Sequence, residues 1–324
     1  MKPCKLRRKF LRKFALFTLF AAFASSKANE SAKMITNKTY TTNTKIAEIV
    51  KDFGDFGRLI FPTNRAYFSG ETLGNLRLMW YEHISGAKSV EIVNFMRERV
   101  ESGERIFYDI YTPQEKAKDP QKADTGLFFF KGKRGSKFAV CNAGGGFAYV
   151  GAMQDSFPHA LQLAKKGYNA FALIYRPNAK KACEDLARAI SFIFENAQKL
   201  GVNVKDYSLW GGSAGAIVAA ILGSYGTGAF EEKPLPRPCA VIMQYTGHTD
   251  YSKNEPPTYA CVGENDWISS WQTMQKRLEK MSALGIETEF HKYPNLGHGF
   301  GLGIDTVAEG WIDDAIAFWE RQMS

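Results

Sequence analysis

From residue 105 onward, short runs rich in aromatic and β-branched residues alternate with longer stretches of helical period. The runs are RIFYDIY (105–111), GLFFFKG (126–132), KFAVCNA (137–143), NAFALIYR (169–176), DYSLW (206–210), CAVIMQY (239–245), TYACVG (258–263) and TEFHKYP (288–294). Several are apolar at consecutive positions, the pattern of strands sandwiched between two helix layers. Between them, HALQLAKKG predicts a helix stopping at Gly167 and CEDLARAISFIFENAQKLG a longer one stopping at Gly201. In the second, Ile190, Ile193, Phe194 and Ala197 form one apolar stripe, and both terminal glycines suit a C-cap. SAGAIVAAILG, WQTMQKRLEKMSALG and AEGWIDDAIAFWERQ supply further helices. Eight strands with interleaved helices predict an α/β fold with a mostly parallel eight-stranded sheet and helices on both faces. The first two strands are close enough in sequence to pair antiparallel.

Residues 34–104 read differently, as short helical pieces such as IAEIVKDF and VEIVNFMRERV broken by Gly-rich turns. Their apolar content predicts packing onto the main body, as an N-terminal helical extension or cap without a core of its own. The proline-rich KPLPRP (233–238) leads into the sixth strand. There is no internal repeat or low-complexity tract.

At 324 residues, 45% hydrophobic and 23% charged, the chain is long enough to bury a large core without crosslinks, which excludes a disordered or disulfide-stapled class. A formal charge of +9 points toward nucleic acid or an anionic membrane until its position is considered. Seven bases precede residue 14, followed by the apolar run FALFTLFAAFA (14–24) and Ser25-Ser26-Lys27. A basic segment, an 11-residue apolar segment and small residues at Ala22 and Ala24 form a secretory signal peptide over residues 1–24. The apolar run is short for a membrane span. Cleavage after Ala24 would leave 35 bases against 33 acids, so basicity belongs to targeting. The expectation is an extracytoplasmic protein, periplasmic or secreted, with no nucleic-acid partner and no stable membrane span after signal cleavage, an uncleaved signal anchor being the alternative.

Four cysteines follow that segment: Cys141, Cys183, Cys239 and Cys261. Three lie in apolar strand-like runs, where a buried thiol is the plain reading. No CxxC or Cys/His cluster suggests a metal, and no cofactor is expected.

The sharpest chemical signal is Trp210-Gly211-Gly212-Ser213-Ala214-Gly215, between a strand and an apolar helix. A serine hydroxyl is a weak nucleophile unless it projects within reach of a base. A tight strand-to-helix turn achieves this, with glycines removing side chains that would collide. The helix N-terminus adds amide donors where an oxyanion would form. A second signal, Asn142-Ala143-Gly144-Gly145-Gly146-Phe147, follows the third strand. Three consecutive glycines lose much conformational entropy on ordering, which implies that their bare amides approach something.

A base and its orienting acid should then come from later strand ends. Of the five histidines, His83, His159, His248, His291 and His298, only His298 lies on a Gly-flanked loop beyond the last strand. For the acid, Asp266 in Gly-Glu-Asn-Asp fits order and position best, ahead of Glu264 and of Asp250 after strand six. Arg176, at the end of strand four, could hold a carboxylate or sugar, a structural ion pair being its plainer role.

The chain order Ser213, Asp266, His298 and the two glycine motifs resemble the α/β-hydrolase superfamily. The nearest types are esterases with a His-Gly-Gly-Gly oxyanion loop, hormone-sensitive-lipase-like and acetyl-xylan-esterase-like. The resemblance covers about residues 105–322 and implies an α/β-hydrolase domain over 105–324. It also implies oxyanion donors at Gly145, Gly146 and Ala214, and a cap over the pocket that residues 34–104 would supply. The chain departs from the pattern at Ala143, where the motif has histidine. Phe147, Tyr149 and Trp267 are pocket-wall candidates. These readings imply an exported serine hydrolase of small-molecule or carbohydrate esters, with acetyl to butyryl groups preferred. Two alternatives stand: a serine peptidase of the prolyl-oligopeptidase type, for which about 70 residues cannot supply the usual propeller, and a non-catalytic protein on the same fold.

Overall fold

The computed structural model describes residues 38–62 and 64–324. The signal segment at residues 1–24 and its export reading lie outside them.

The sheet forms where the apolar runs predict. Strands β1 (Phe68–Ser69) and β2 (Arg77–Leu78) make a small antiparallel pair in the N-terminal extension, which the sequence pattern does not announce. The main sheet comprises β3 (Phe107–Tyr108), β4 (Gly126–Phe130), β5 (Lys137–Asn142), β6 (Asn169–Ile174), β7 (Asn203–Gly212), β8 (Ala240–Gln244), β9 (Thr258–Gly263) and β10 (Thr288–Tyr293). Their spatial order is β10-β9-β8-β7-β5-β6-β4-β3. From β10 to β6 all pairs are parallel, and β4 runs antiparallel to both β6 and β3, so the mostly parallel sheet and its antiparallel start are both present. Strands β4, β6, β8 and β9 are buried at every position because helices cover both faces.

Helices occupy Phe157–Lys165, Ala179–Glu195, Ala214–Tyr225, Trp271–Ala283 and Trp311–Arg321. The long helix expected to end at Gly201 breaks at Asn196 and resumes over Ala197–Leu200, with Gly201 as a left-handed cap at φ 70°. Beta8 follows β7 in parallel, so the chain crosses over through the Ala214–Tyr225 helix and leaves the strand C-termini on one edge.

The extension carries the helices Ile46–Asp52 and Gly86–Glu101. Its Ile46, Ile49, Leu73, Leu76, Ile92, Val93 and Met96 are buried in the same apolar cluster as the sheet. Among the described residues Cys141, Cys183, Cys239 and Cys261 form no disulfide. No helix among the described residues is long and apolar enough to cross a membrane.

Candidate active site

Strand β7 runs to Gly212 and the next helix starts at Ala214, so Ser213 alone makes the turn, with φ 52° and ψ −119°. That backbone is strained for a residue with a Cβ, and neighbouring interactions hold it. The Ser213 amide donates to the Gln244 carbonyl on β8 at 2.9 Å, and the Ser213 carbonyl accepts from Ala216 at 3.1 Å. The flanking glycines are dictated by contact: a Cβ on Gly211 would strike Gly215, and one on Gly215 would strike the Asn142 and Ala143 carbonyls.

The His298 Nε2 lies 3.1 Å from Ser213 Oγ, and its Nδ1 lies 2.7 Å from Asp266 Oδ2. Asp266 Oδ1 accepts from the amides of Ile268 at 2.8 Å and Ser269 at 2.7 Å. The His298 and Asp266 side chains are 3% and 0% exposed, so the pair is shielded from water. The other acids are engaged elsewhere: Glu264 with Lys292 at 2.5 Å, and Asp250 with the Tyr225 hydroxyl at 2.8 Å. The ring of Tyr245 stands edge-on to the His298 imidazole, with centroids 5.0 Å apart. His291 pairs with Glu289 at 2.7 Å, and His159 is buried against Trp311.

The glycine loop lies against the serine; a Cβ on Gly144 would come within 2.7 Å of Ser213 Cβ. Gly145 (φ 132°), Gly146 (φ 60°) and Phe147 (φ 56°) all take positive φ, so the loop curls back, and the amides of Ala148 and Tyr149 donate to the Gly145 carbonyl. The Gly144 amide donates to Asp155 Oδ2 at 2.8 Å. Among the described residues, the amides of Gly145, Gly146 and Ala214 have no backbone or side-chain acceptor outside the regular elements. The loop departs from a His-Gly-Gly-Gly pattern without losing its support. Ala143 is fully buried and its carbonyl accepts from the Tyr175 hydroxyl, while Asn142 Nδ2 donates to the Trp210 carbonyl at 2.9 Å.

Two of the three wall candidates are placed otherwise than expected. Tyr149 is 5% exposed and its hydroxyl donates to the Met79 carbonyl, so it backs the glycine loop. Trp267 is 71% exposed, because the two amides held by Asp266 turn the following loop outward and leave the indole in solvent. Phe147 is half-buried within the loop. Arg176 is 3% exposed and enclosed by Asp185 at 2.8 Å, Asp119 at 2.7 Å and Glu184 at 3.1 Å, which makes it a structural ion-pair centre.

The extension supplies residues that sequence reasoning missed. Segment 79–83 threads between the glycine loop and the His298 loop. The Trp80 ring lies over Gly146, Trp80 and Tyr81 pack on Gly299, and Glu82 covers Gly297. Trp80 also stacks on Tyr149, with centroids 5.9 Å apart. The sequence signal was weak, the aromatic pair Trp80-Tyr81 following Leu76, Leu78 and Met79 in a stretch with no clear period. A separate groove of about 1050 Å³ opens between the extension and the β3 edge, lined by Phe53, Phe56, Arg58 and Phe107; Ser213, Asp266 and His298 do not border it. Among the described residues no three His, Cys, Asp or Glu side chains are gathered to hold a metal.

The chain has the α/β-hydrolase fold. A structure of an α/β hydrolase from a Medee basin deep-sea metagenome library superposes with a TM-score of 0.51 at 23% identity, covering 61% of this chain and 92% of that one. An acetyl ester-xyloside bifunctional hydrolase from Caldicellulosiruptor lactoaceticus gives 0.58 at 21% identity, covering 66% and 95%. The esterase Est2 of Thermogutta terrifontis, with propionate bound, gives 0.52 at 21% identity, covering 61% and 89%. The BD-FAE family model matches residues 130–238. Endo-1,4-beta-xylanase B of Butyrivibrio fibrisolvens is 30% identical over 52% of this chain, which spans only 33% of that relative's length.

Proposed function

We propose that the chain is an exported serine hydrolase of carboxylic esters, with short acyl groups, acetyl above all, on carbohydrates as its substrate class. The observation that carries the reading is the continuous hydrogen-bonded line Ser213–His298–Asp266 ending beside unpaired amides. Ser213 Oγ attacks the ester carbonyl while His298 Nε2 takes its proton, and Asp266 holds the Nδ1–H and steadies the imidazolium. The amides of Ala214, Gly145 and Gly146 receive the oxyanion. His298 returns the proton to the leaving alcohol, and water then attacks the acyl-enzyme with His298 again as base.

The carbohydrate side draws on the similarity to an acetyl ester-xyloside hydrolase and to a xylanase. The half-buried Trp80 and Phe147 beside the glycine loop favour a small acyl group. The basic and apolar N-terminal segment supports export. The departure at Ala143 lends little to a non-catalytic reading, because Tyr175 and Asp155 hold the loop.

The test is a p-nitrophenyl ester series from acetyl to decanoyl, together with acetate release from acetylated xylo-oligosaccharides. A methylene excluded from a pocket changes binding by about 1–3 kcal/mol, so kcat/KM should fall roughly tenfold or more from short to long chains. A steady rise to decanoyl would overturn the short-chain carbohydrate reading.

A further inference from the structure

Asp155 ends the short helix Ala152–Asp155 and is 2% exposed. It stands directly behind the nucleophile, where a Cβ on Gly212 would land on its carboxylate. Among the described residues its three hydrogen-bond partners are uncharged. Oδ2 accepts from the Gly144 amide at 2.8 Å and from the Tyr81 hydroxyl at 3.0 Å, and Oδ1 accepts from the Tyr245 hydroxyl. Burial and the Asp155 charge both push the Tyr81 and Tyr245 hydroxyls well above the ordinary tyrosine range, so both remain donors. A carboxylate buried without a cation costs several kcal/mol unless hydrogen bonds offset it, and here three do.

Each partner leads to a different part of the site. Gly144 begins the glycine loop and precedes the free amides of Gly145 and Gly146. Tyr245 lays its ring against His298, and its hydroxyl oxygen also accepts from the Gly301 amide at 3.3 Å, on the loop that follows His298. Tyr81 belongs to the extension segment wedged against Gly299. One carboxylate therefore ties the oxyanion loop, the histidine loop and the extension to one point.

We propose that Asp155 is a positioning residue of the ester-hydrolysis site, holding the glycine-loop amides and the ring behind His298 in the geometry that the transition state requires. The inference rests on the serine-hydrolase reading above. Amides aimed at an oxyanion act on the transition state and hardly on the bound ester, so their displacement lowers kcat and leaves KM nearly unchanged. Asp155→Asn keeps the volume but substitutes an NH2 for one oxygen, and that NH2 faces a hydroxyl or an amide donor.

The expected result for Asp155→Asn on p-nitrophenyl acetate is a kcat lower by about 10- to 100-fold with KM within about threefold. The inhibition constant of butylboronic acid, which forms a tetrahedral adduct, should weaken by a similar factor. A folded variant with kcat within twofold of wild type, a loss confined to KM, or unchanged boronic acid affinity would overturn the proposal. Should Asp155→Asn fail to fold by circular dichroism, Tyr81→Phe decides. It removes one oxygen and should lower kcat severalfold at constant KM; an unchanged kcat overturns the proposal. Fluorophosphonate labelling separates the two readings. Unlabelled wild type defeats the hydrolase assignment, whereas wild type and Asp155→Asn labelled at the same rate defeat only the role of Asp155.

Discussion

Replacing Asp266 with asparagine forces a choice that its surroundings make costly either way. Oδ1 accepts from two backbone amides, Ile268 and Ser269, and Oδ2 accepts from His298 Nδ1 at 2.7 Å. If the asparagine keeps its oxygen toward the two amides, its NH2 faces His298, whose Nδ1 must then accept. The imidazole proton moves to Nε2, 3.1 Å from Ser213 Oγ, where a lone pair is needed to take the hydroxyl proton. If the asparagine flips, the tautomer survives, but its NH2 opposes two N–H donors at a buried position. Each unsatisfied buried donor costs about 1–3 kcal/mol, hence about 2–6 kcal/mol for the pair. At about 1.4 kcal/mol per factor of ten, the flipped state alone lowers the rate by more than tenfold and up to about 10⁴-fold, and the wrong tautomer reaches a similar figure. The expected loss in kcat/KM on p-nitrophenyl acetate is therefore between about 30-fold and about 10⁴-fold, with the melting temperature within several degrees of wild type. Asp250→Asn is the control. Among the described residues its carboxylate hydrogen-bonds only the exposed Tyr225 hydroxyl, so its activity should stay within about twofold of wild type. An Asp266→Asn enzyme within tenfold of wild type, or an Asp250→Asn enzyme impaired more severely, would refute the assignment of the acid.

Ser213→Ala should abolish fluorophosphonate labelling and lower kcat/KM by at least about 10³-fold while the protein melts normally; a folded variant keeping a tenth of the activity removes Ser213 from the chemistry. The pH dependence of stability should carry a contribution from His248, whose folded pKa is pushed down to about 4, chiefly by burial, then by the Arg277 charge, with Asp250 opposing. Above about pH 6.5 the imidazole is neutral folded and unfolded alike; as pH falls from there toward 4 only the unfolded chain takes the proton, so stability is lost across that window. With the ring half-buried the loss is ~1–2 kcal/mol, and His248→Gln should lose less stability than wild type between pH 7 and pH 4.5 in urea titrations; equal losses would refute it.

The sheet was legible because its central strands bury both faces, and runs such as FAVC and CAVIM have no other comfortable place in a water-soluble fold. The hydrogen-bonded line Ser213–His298–Asp266 was legible because its residues stand at strand ends in glycine-rich loops, where close packing restricts the neighbours: Gly211 and Gly215 press on each other, and Gly297 on Glu82. The split of the long helix at Asn196 was not legible, since its apolar stripe runs through the break. Trp267 misled for a physical reason. Adjacency in sequence to Asp266 says nothing about which way a loop turns, and the turn is set by two backbone amides bonded to the Asp266 side chain itself.

Asp155 shows why local patterns miss a class of residue that shapes a site. Its partners lie 11, 74 and 90 positions away, and each side of the contact is unremarkable by itself: an acid ending a short helix, two tyrosines and a glycine amide. Only the fold, which sets β5, β7 and β8 side by side and draws the extension across their ends, brings these donors to one carboxylate. The same contact accounts for a plain feature of the motif. Gly212, the variable position before Ser213, cannot carry a Cβ here because Asp155 occupies that space. An alanine at Gly212 and an asparagine at Asp155 therefore disturb one structural unit from opposite sides. Their effects should be non-additive, whereas two changes at sites more than about 7–10 Å apart and without shared partners would add.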